Sequence, residues 1–359
     1  MIHLAVPSAA PSKSIDYTPD ITSDPYWDNH KIGIVRITRI ERDEHGRSLL
    51  TYTVTRQISS SPIANNKTVR SSDLWFGMHV DEPRLAVNQE LLLYEAMQGN
   101  DPIVASCLDD TNREQVAALL AIARLRADRG VTQSVLDSCF DGNEVTAQYS
   151  LRRLLGDFPF RAPAGYEARL LQLRDQPRRS AQTRLLADTL LEKLRGRPEA
   201  SDAEYSWLKD AIIHTPAADW TALKPFVDRI VQFDQKRQET ISFLTGIVRQ
   251  QNAPLELRIA AYSTFDDPRM FHFDAPDPPS DLLFETSIRM LNDSDPTIRR
   301  AGAALLYNIA VRVALPHRSE YIQHAMQAIE AKRGGEADPT TRSQFEHFLN
   351  LLRKVSSAQ

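Results

Sequence analysis

Hydrophobic and polar positions alternate with a period of two across residues 30–105. The clearest case is SLLTYTVTRQI, where apolar residues alternate with threonine and glutamine and only Arg56 breaks the order. Alternation of this kind predicts a strand with one buried face. The preceding stretch HKIGIVRITRIER is rich in β-branched residues, and the segment DEHGR between the two predicts the turn of a hairpin. With shorter strands in KTVRSSDLWFG and LAVNQELLLYEAM, we predict a small antiparallel β barrel or sandwich over residues 29–106.

The rest of the chain has the spacing of helices. The stretch REQVAALLAIARLRADRG is rich in alanine and leucine, and it ends at Gly130, a residue suited to the left-handed conformation that closes many helices. In TIRRAGAALLYNIA, residues 297–310, apolar side chains recur every three or four positions and form one stripe. We therefore predict an α+β chain in which an all-α domain, residues 107–359, follows the β domain.

Residues 1–28 differ from both regions. They are rich in proline, serine, aspartate and threonine and lack hydrophobic periodicity, which favours an extended or disordered leader. The start has no basic segment and only a short apolar one, so it is not an intact signal peptide. Its composition is similar to that of an exported protein after removal of the signal peptide. We expect an exported, periplasmic location, and a cytoplasmic location stays open.

Five prolines in the helical region are almost evenly spaced. Each lies near a predicted helix start, where proline is tolerated because its missing N–H group would have no partner there. The intervals between them are 39, 38, 42 and 43 residues. They are Pro177, Pro216, Pro254, Pro296 and Pro339. This period predicts a series of helical hairpins that bury their apolar faces against one another.

The helical region resembles the HEAT and armadillo repeat families. The resemblance lies in the period near 40, in the Asp-x-Asp-Pro-x-Ile-Arg motif at 293–299, and in a second helix rich in small residues. It covers roughly residues 110–355 and implies a right-handed α solenoid. In such repeats a loop aspartate and a helix arginine often link neighbouring units. Arg258 and Arg299 occupy equivalent positions, which implies such a ladder, with ligand binding on the inner surface as the alternative.

The β region resembles the OB-like, netrin/inhibitor-type barrels of exported bacterial proteins. The matching features are TYTVTR and the later apolar block LLLY, residues 91–94. The glycine usual before that block is Asn88 here. The resemblance implies a small barrel.

Composition narrows the chemistry that the chain can perform. Hydrophobic residues make up 42% and charged residues 25%, and the net charge of −4 favours neither nucleic acid nor an anionic membrane. A transmembrane helix needs about 18 consecutive apolar residues, and every apolar run in this sequence is much shorter. The nine histidines are scattered, and the motifs HExxH, GxGxxG, GxxxxGK(S/T) and GxSxG are missing. We expect no metal and no cofactor, and the enzyme question stays open with a preference against catalysis.

The first candidate site is a basic run along the predicted helices after residue 150. Its arginines would line a positive groove for an acidic partner, or they form a solvated helix face with ion pairs. The candidates for partner binding are Arg152, Arg153, Arg178 and Arg179.

A second candidate is the long loop 266–281, which holds four prolines between two predicted helices. Loops of this length are often functional or disordered. Its cluster Phe271, His272, Phe273 and Asp274 is a candidate for partner binding, with a packing insertion as the alternative. A catalytic His–Asp pair is the weakest interpretation because no nucleophile is evident.

The chain has only two cysteines, Cys107 and Cys139. They either serve as small buried apolar residues or form a single disulfide, which would require an oxidising compartment.

These patterns favour a non-catalytic protein that binds another protein through the solenoid surface and the β domain. It would act as a scaffold or as an immunity-like inhibitor. The alternative is a HEAT-like enzyme of the DNA-glycosylase type with a basic concave face, for which Trp207, Trp220, Asp210 and Asp219 are candidates. The acidic balance disfavours this alternative, and salt-dependent binding to duplex DNA would distinguish the two. A carbohydrate-binding β domain using Trp75 and Phe76 is a third hypothesis.

Overall fold

The structure is a computed structural model that describes residues 21–76, 85–97, 103–108, 113–128, 130–197, 201–216, 219–265, 279–312 and 315–357. It confirms the predicted α+β order, because a curled β sheet precedes a long series of helices. The strands are β1 (His30–Arg42), β2 (Ser48–Gln57), β3 (Lys67–Arg70), β4 (Leu74–Trp75), β5 (Glu90–Ala96) and β6 (Ile103–Cys107).

A short helix, α1 (Asp24–Asn29), precedes the sheet, and the other helices follow it. The first group is α2 (Arg113–Ala127), α3 (Gln133–Asp141), α4 (Glu144–Gly156), α5 (Tyr166–Asp175) and α6 (Ala181–Leu194). The second group is α7 (Asp202–His214), α8 (Lys224–Ile230), α9 (Arg237–Arg249), α10 (Leu255–Tyr262), α11 (Pro279–Met290), α12 (Pro296–Arg312), α13 (Leu315–Arg333) and α14 (Pro339–Ser357).

The sheet has the strand order β3-β2-β1-β5-β6-β4 and is mixed rather than antiparallel throughout. Strand β6 lies between β5 and β4 in the sheet. Both β6 and β4 run in the direction opposite to β5. The pair β4–β6 is therefore parallel, which corrects the predicted all-antiparallel arrangement. The sheet curls into a half-barrel, and Lys67 Nζ of β3 lies 2.5 Å from Glu95 Oε1 of β5, although two strands separate them.

The predicted hairpin is present between β1 and β2. Asp43 accepts hydrogen bonds from the backbone N–H groups of His45 and Arg47, and Gly46 adopts a φ of 78° between them. Before β5, Asn88 has a φ of 72°. Asparagine tolerates this left-handed conformation better than most residues, so it fills the place of a glycine.

The two central strands are buried on both faces. Toward the inside of the curl, Val35 of β1 and Leu91 of β5 belong to one apolar core. On the other face, Ile32 and Leu92 pack with Leu119 of α2 in a second core, which extends to α6. The sheet and the first helices therefore share a core, which explains the continuous apolar block of β5.

The chain divides into two compact units. Unit 1 comprises Met1–Arg179 and Leu186–Leu194, and unit 2 comprises Ser180–Leu185 and Arg195–Gln359. The domain boundary predicted after residue 106 thus falls inside unit 1, because the sheet and helices α2–α5 bury one core together.

Part of the predicted leader belongs to unit 1. Tyr26 and Trp27 of α1 are buried, and Trp27 Nε1 donates to the Ile21 carbonyl at 2.8 Å. Arg126 of α2 makes ion pairs with Asp24 and Asp28. This part of the predicted leader therefore contains a short helix with buried aromatic side chains, and the remainder lies outside the described residues.

In unit 2, helices pair as α9/α10, α11/α12 and α13/α14, and α11 also contacts α9 while α14 contacts α12. Pro296 and Pro339 are the first residues of their helices, as predicted, and Pro254 occupies the N-cap of α10. Pro177 and Pro216 lie instead in the connections that precede α6 and follow α7. The regular spacing thus marks the connections between helices more consistently than it marks helix starts.

Helix α12 approaches α11 very closely at Gly302. A Cβ atom at this position would lie 2.7 Å from Met290 Cβ and 2.9 Å from the Ser287 carbonyl oxygen. Such distances are shorter than van der Waals contact allows, so only glycine fits without a shift of one helix.

We expect Gly302→Ala to lower the free energy of unfolding by about 1–3 kcal/mol, because the added methyl group overpacks the α11–α12 contact. Gly246→Ala is the matched control, since Gly246 also lies inside a helix and has open space around its Cβ position. The control should be neutral or more stable by up to about 1 kcal/mol, because alanine favours helix. Urea unfolding followed by circular dichroism measures both, and an equal loss of stability in the two variants would contradict the packing argument.

Candidate partner-binding surface

A buried ion pair links helix α10 to the loop before α12. Arg258 and Asp293 are both buried, with 3% and 5% of their surfaces exposed. Arg258 Nη1 donates to Asp293 Oδ1 at 3.3 Å, and its Nη2 contacts Oδ2. Arg258 Nε donates to the Val248 carbonyl at 3.1 Å. The Arg258 side chain therefore joins helix α10 to the end of α9 and to the loop between α11 and α12.

The same type of link recurs one helix pair later. Arg299 of α12 forms a bidentate ion pair with Glu336, with Nε and Nη2 each 2.7 Å from a carboxylate oxygen. Its Nη1 donates to the carbonyls of Asp293 and Ser294, both at 2.8 Å. We call the pairs Arg258–Asp293 and Arg299–Glu336 the Arg–acid ladder. Arg258 pairs with a loop aspartate, as the resemblance implied, whereas the partner of Arg299 is a glutamate.

The two loops that accept the ladder arginines have the same internal hydrogen bonds. The Asp295 N–H donates to Asp293 Oδ1, and the Asp338 N–H donates to Glu336 Oε1, both at 2.9 Å. Asp295 and Asp338 then cap helices α12 and α14 by accepting from a backbone N–H group two or three residues later, in each case at 2.7 Å. The sequence pattern acid-x-Asp-Pro-Thr therefore forms the same hydrogen bonds at both places.

Two of the four arginines predicted to bind a partner have internal roles. In unit 1, Arg153 Nη2 donates to the carbonyls of Asp128 and Gly130 at 2.7 and 3.0 Å. Arg179 donates to the carbonyls of Phe140 and Gly142 at 2.7 and 3.0 Å. Both side chains close connections between helices, which leaves little of either guanidinium for a partner.

The other two predicted arginines differ in exposure. Arg152 is half-buried in α4, whereas Arg178 is exposed in the connection between α5 and α6. Partner binding by these two stays a prediction.

The remaining basic run is largely neutralised by nearby carboxylates. Arg169 Nη1 lies 3.2 Å from Asp137 Oδ1, and Arg174 lies 2.8 Å from Asp175 and 3.3 Å from Asp188. This geometry favours the ion-paired helix face over the positive groove. The partners come from other helices or from the adjacent residue, which a search for i,i+4 pairs does not reveal.

The other candidates from the sequence either have local structural contacts or lie outside the described residues. The cluster Phe271, His272, Phe273 and Asp274 lies outside the described residues. Trp207 and Trp220 pack against the core of unit 2, and Asp219 accepts from the Thr221 N–H group at 2.9 Å. Phe76, directly after β4, packs against the core inside the curl. The packed tryptophans do not add support to a DNA-lesion site.

Cys107 and Cys139 do not form a disulfide with each other. Cys139 is fully buried beside the hydroxyl of Tyr166, and burial raises the pKa of its thiol to about 12. Cys107 is half-buried and accepts a hydrogen bond from Gln89 Nε2 at 3.2 Å. Cys139 therefore corresponds to the buried apolar alternative, and the geometry does not support the disulfide.

Among the described residues, no group of three or more His, Cys, Asp or Glu side chains is arranged to hold a metal ion. In the same residues, no helix is both long enough and apolar enough to span a membrane. No protein-family model matches the chain, and no curated protein matches it either.

We expect Arg258→Met to lower the free energy of unfolding by about 3–5 kcal/mol, because it leaves the Asp293 carboxylate buried without its cation. The double variant Arg258→Met/Asp293→Leu should recover much of this loss, since no buried charge remains. Arg353→Ala is the control, because its ion pair with Glu330 is exposed and such pairs contribute about 0–1 kcal/mol. Urea unfolding of the wild type and the three variants measures the effects, and a double variant no more stable than Arg258→Met would contradict the pairing.

Glu336 gives the ladder a predictable dependence on pH. Hydrogen bonds from Arg299 lower its pKa below the ordinary value of 4.5, despite the opposing effect of burial. The folded state therefore prefers the carboxylate, so this group stabilises the fold above about pH 4.5 and loses that contribution as pH falls toward its lowered pKa. Glu336→Gln should be less stable at pH 7 and should lose less stability between about pH 5 and 3.

Unfolding free energies measured at several pH values test this expectation. Glu346→Gln is the matched control, because Glu346 is exposed on α14 and makes no ion pair within the described part of the chain. A slope for Glu336→Gln equal to that of the wild type would show that Glu336 does not contribute to the acid sensitivity.

Proposed function

We propose that this chain is a non-catalytic protein-binding module, a scaffold or inhibitor whose helices form a HEAT-like right-handed solenoid. The observation that carries the proposal is the Arg–acid ladder, which repeats the same link between successive helix pairs. A series of like pairs joined in this way builds an extended surface, and extended surfaces of stacked repeats typically serve to bind other macromolecules.

The ladder also explains why such a surface would be preformed. Each rung joins one helix pair to the connection of the next, so the angle between pairs is held by charge-assisted hydrogen bonds as well as by packing. A rigid surface loses little conformational entropy on binding. The charged groups of the ladder are used in these structural contacts, which favours a binding role over a catalytic one.

The partner is proposed to be another protein. The net charge of −4 and the paired arginines of α4–α6 provide little basis for binding the phosphate backbone of nucleic acid. The proposal includes an exported location, which is supported by the leader composition and by the resemblance of the β region to exported barrels.

Affinity capture from an extract of the native cells tests the function, followed by reconstitution with purified components. We expect one protein to be enriched and to form a complex with the purified chain. Arg178→Glu should weaken that complex by about tenfold or more if the exposed arginine lies at the interface. Arg56→Glu is the matched control, because Arg56 is an exposed arginine on β2 without a partner among the described residues.

Two outcomes would contradict the proposal. One is the lack of any protein that rebinds after purification. The other is binding to duplex DNA that weakens steeply with salt, which would favour the glycosylase-type alternative. If a complex forms but Arg178→Glu binds equally well, the module stands and the predicted residue is wrong.

A further inference from the structure

A cleft of about 250 Å³ lies in unit 2 between the C-terminal ends of α9 and α11. Its polar lining consists of Arg249, Gln251, Thr286, Arg289, Asn292 and Asp293. The cleft is independent of the sites predicted from the sequence, and it is large enough for one small ionic group rather than for an extended chain.

One arginine of the cleft is held in a fixed orientation. Arg249 Nε donates to Thr286 Oγ1 at 2.9 Å, and Nη2 donates to the Leu282 carbonyl at 3.2 Å. Glu285 lies 3.8 Å from Nη2 at the exposed side. Within the described residues, Nη1 makes no hydrogen bond. The hydrogen bonds from Nε and Nη2 thus orient the guanidinium, while the N–H groups of Nη1 stay available as donors.

The second arginine of the cleft is Arg289, which is exposed. Its guanidinium has neither an ion pair nor a hydrogen bond with another described residue. Burial, together with the nearby charge of Arg289, lowers the pKa of Arg249, and Glu285 opposes the effect. Two like charges therefore face one cleft, an arrangement that an anion between them would relieve.

The acidic residue of the lining is already compensated. The Asp293 carboxylate is the ladder partner of Arg258 and also accepts from the Asp295 N–H group. It does not cancel the two guanidinium groups of the cleft. The side-chain amide of Gln251 adds a further donor at the rim.

A structural role at the helix ends does not account for the whole arrangement. Both arginines lie in the last turn of a helix, where a positive charge is stabilised by the helix dipole. That role needs no cleft and no proximity between the two charges. It also leaves the N–H groups of Arg289 without acceptors from the described residues.

We propose that the cleft between α9 and α11 binds a single oxyanion, a carboxylate or a phosphate group, through Arg249 and Arg289. The planar guanidinium matches the two oxygens of either group and forms paired, charge-assisted hydrogen bonds. Arg249 provides the preoriented donor and Arg289 the mobile one. This site does not depend on the proposed protein-binding function, since a free anion is sufficient to occupy it.

Isothermal titration of the full-length protein with inorganic phosphate and with glutarate tests the site, at constant ionic strength in a chloride buffer. We expect binding of at least one anion to the wild type. Arg289→Gln should weaken it by about tenfold or more, because it removes one charge and its fork of donors. Arg289→Lys should fall between the two, since lysine keeps the charge and loses the planar fork.

The matched control is Arg124→Gln, because Arg124 is an exposed arginine on α2, without a partner in the described ranges and far from the cleft in sequence. It should change the affinity by less than about twofold, the scale of a distant surface charge screened by salt. Equal thermal unfolding midpoints would show that the variants are folded, and Arg289 permits this comparison because its guanidinium makes no hydrogen bond or ion pair with another described residue.

The outcomes separate the sources of the anion. Binding of phosphate alone would assign a phosphate site, and binding of glutarate alone would assign a carboxylate site. Binding of neither anion, or equal binding by Arg289→Gln and the wild type, would overturn the proposal. Equal weakening in Arg124→Gln would also overturn it, because the attraction would then come from general surface charge.

Discussion

The structure depends on arginine side chains that join helix connections distant in sequence. A guanidinium has five N–H donors, so one side chain can satisfy several carbonyl groups at helix ends and a carboxylate at the same time. Arg258 and Arg299 do this in unit 2 with acidic loops. In unit 1, Arg153 and Arg179 donate to carbonyl groups, and each also lies near a carboxylate, that of Asp157 at 3.7 Å and that of Glu144 at 3.5 Å. The geometry between helices is therefore fixed at their connections as well as in the apolar cores.

Local patterns predicted the local structure well. The alternation before Arg56 marks β2, and the residues of HKIGIVRITRIER are those of β1, because the period of two depends only on neighbouring positions. Pro296 and Pro339 are the first residues of their helices, and the preference of proline for that position is also a local property. The parallel pairing of β4 with β6 was missed, since it depends on where a strand of two residues joins a sheet, and nothing in those residues encodes it.

Candidate sites were harder to predict because residues of the same type have different structural roles. Arg178 and Arg179 are adjacent, yet the first is exposed and the second closes a turn 37 residues earlier. A basic run does not reveal which members meet a carbonyl group across the fold. Likewise, Arg249 and Arg289 are 40 positions apart, and only the packing of α9 beside α11 brings them to one cleft.

The burial of Trp27 has a practical consequence for anyone who handles this protein. Composition suggests trimming the chain near residue 30, where the first strand begins. Such a cut would remove an indole and a phenol ring from the apolar core beneath the sheet and would leave the guanidinium of Arg126 without its two acids. Expression boundaries and amino-terminal fusions should therefore be placed upstream of residue 21, so that this anchoring segment stays intact.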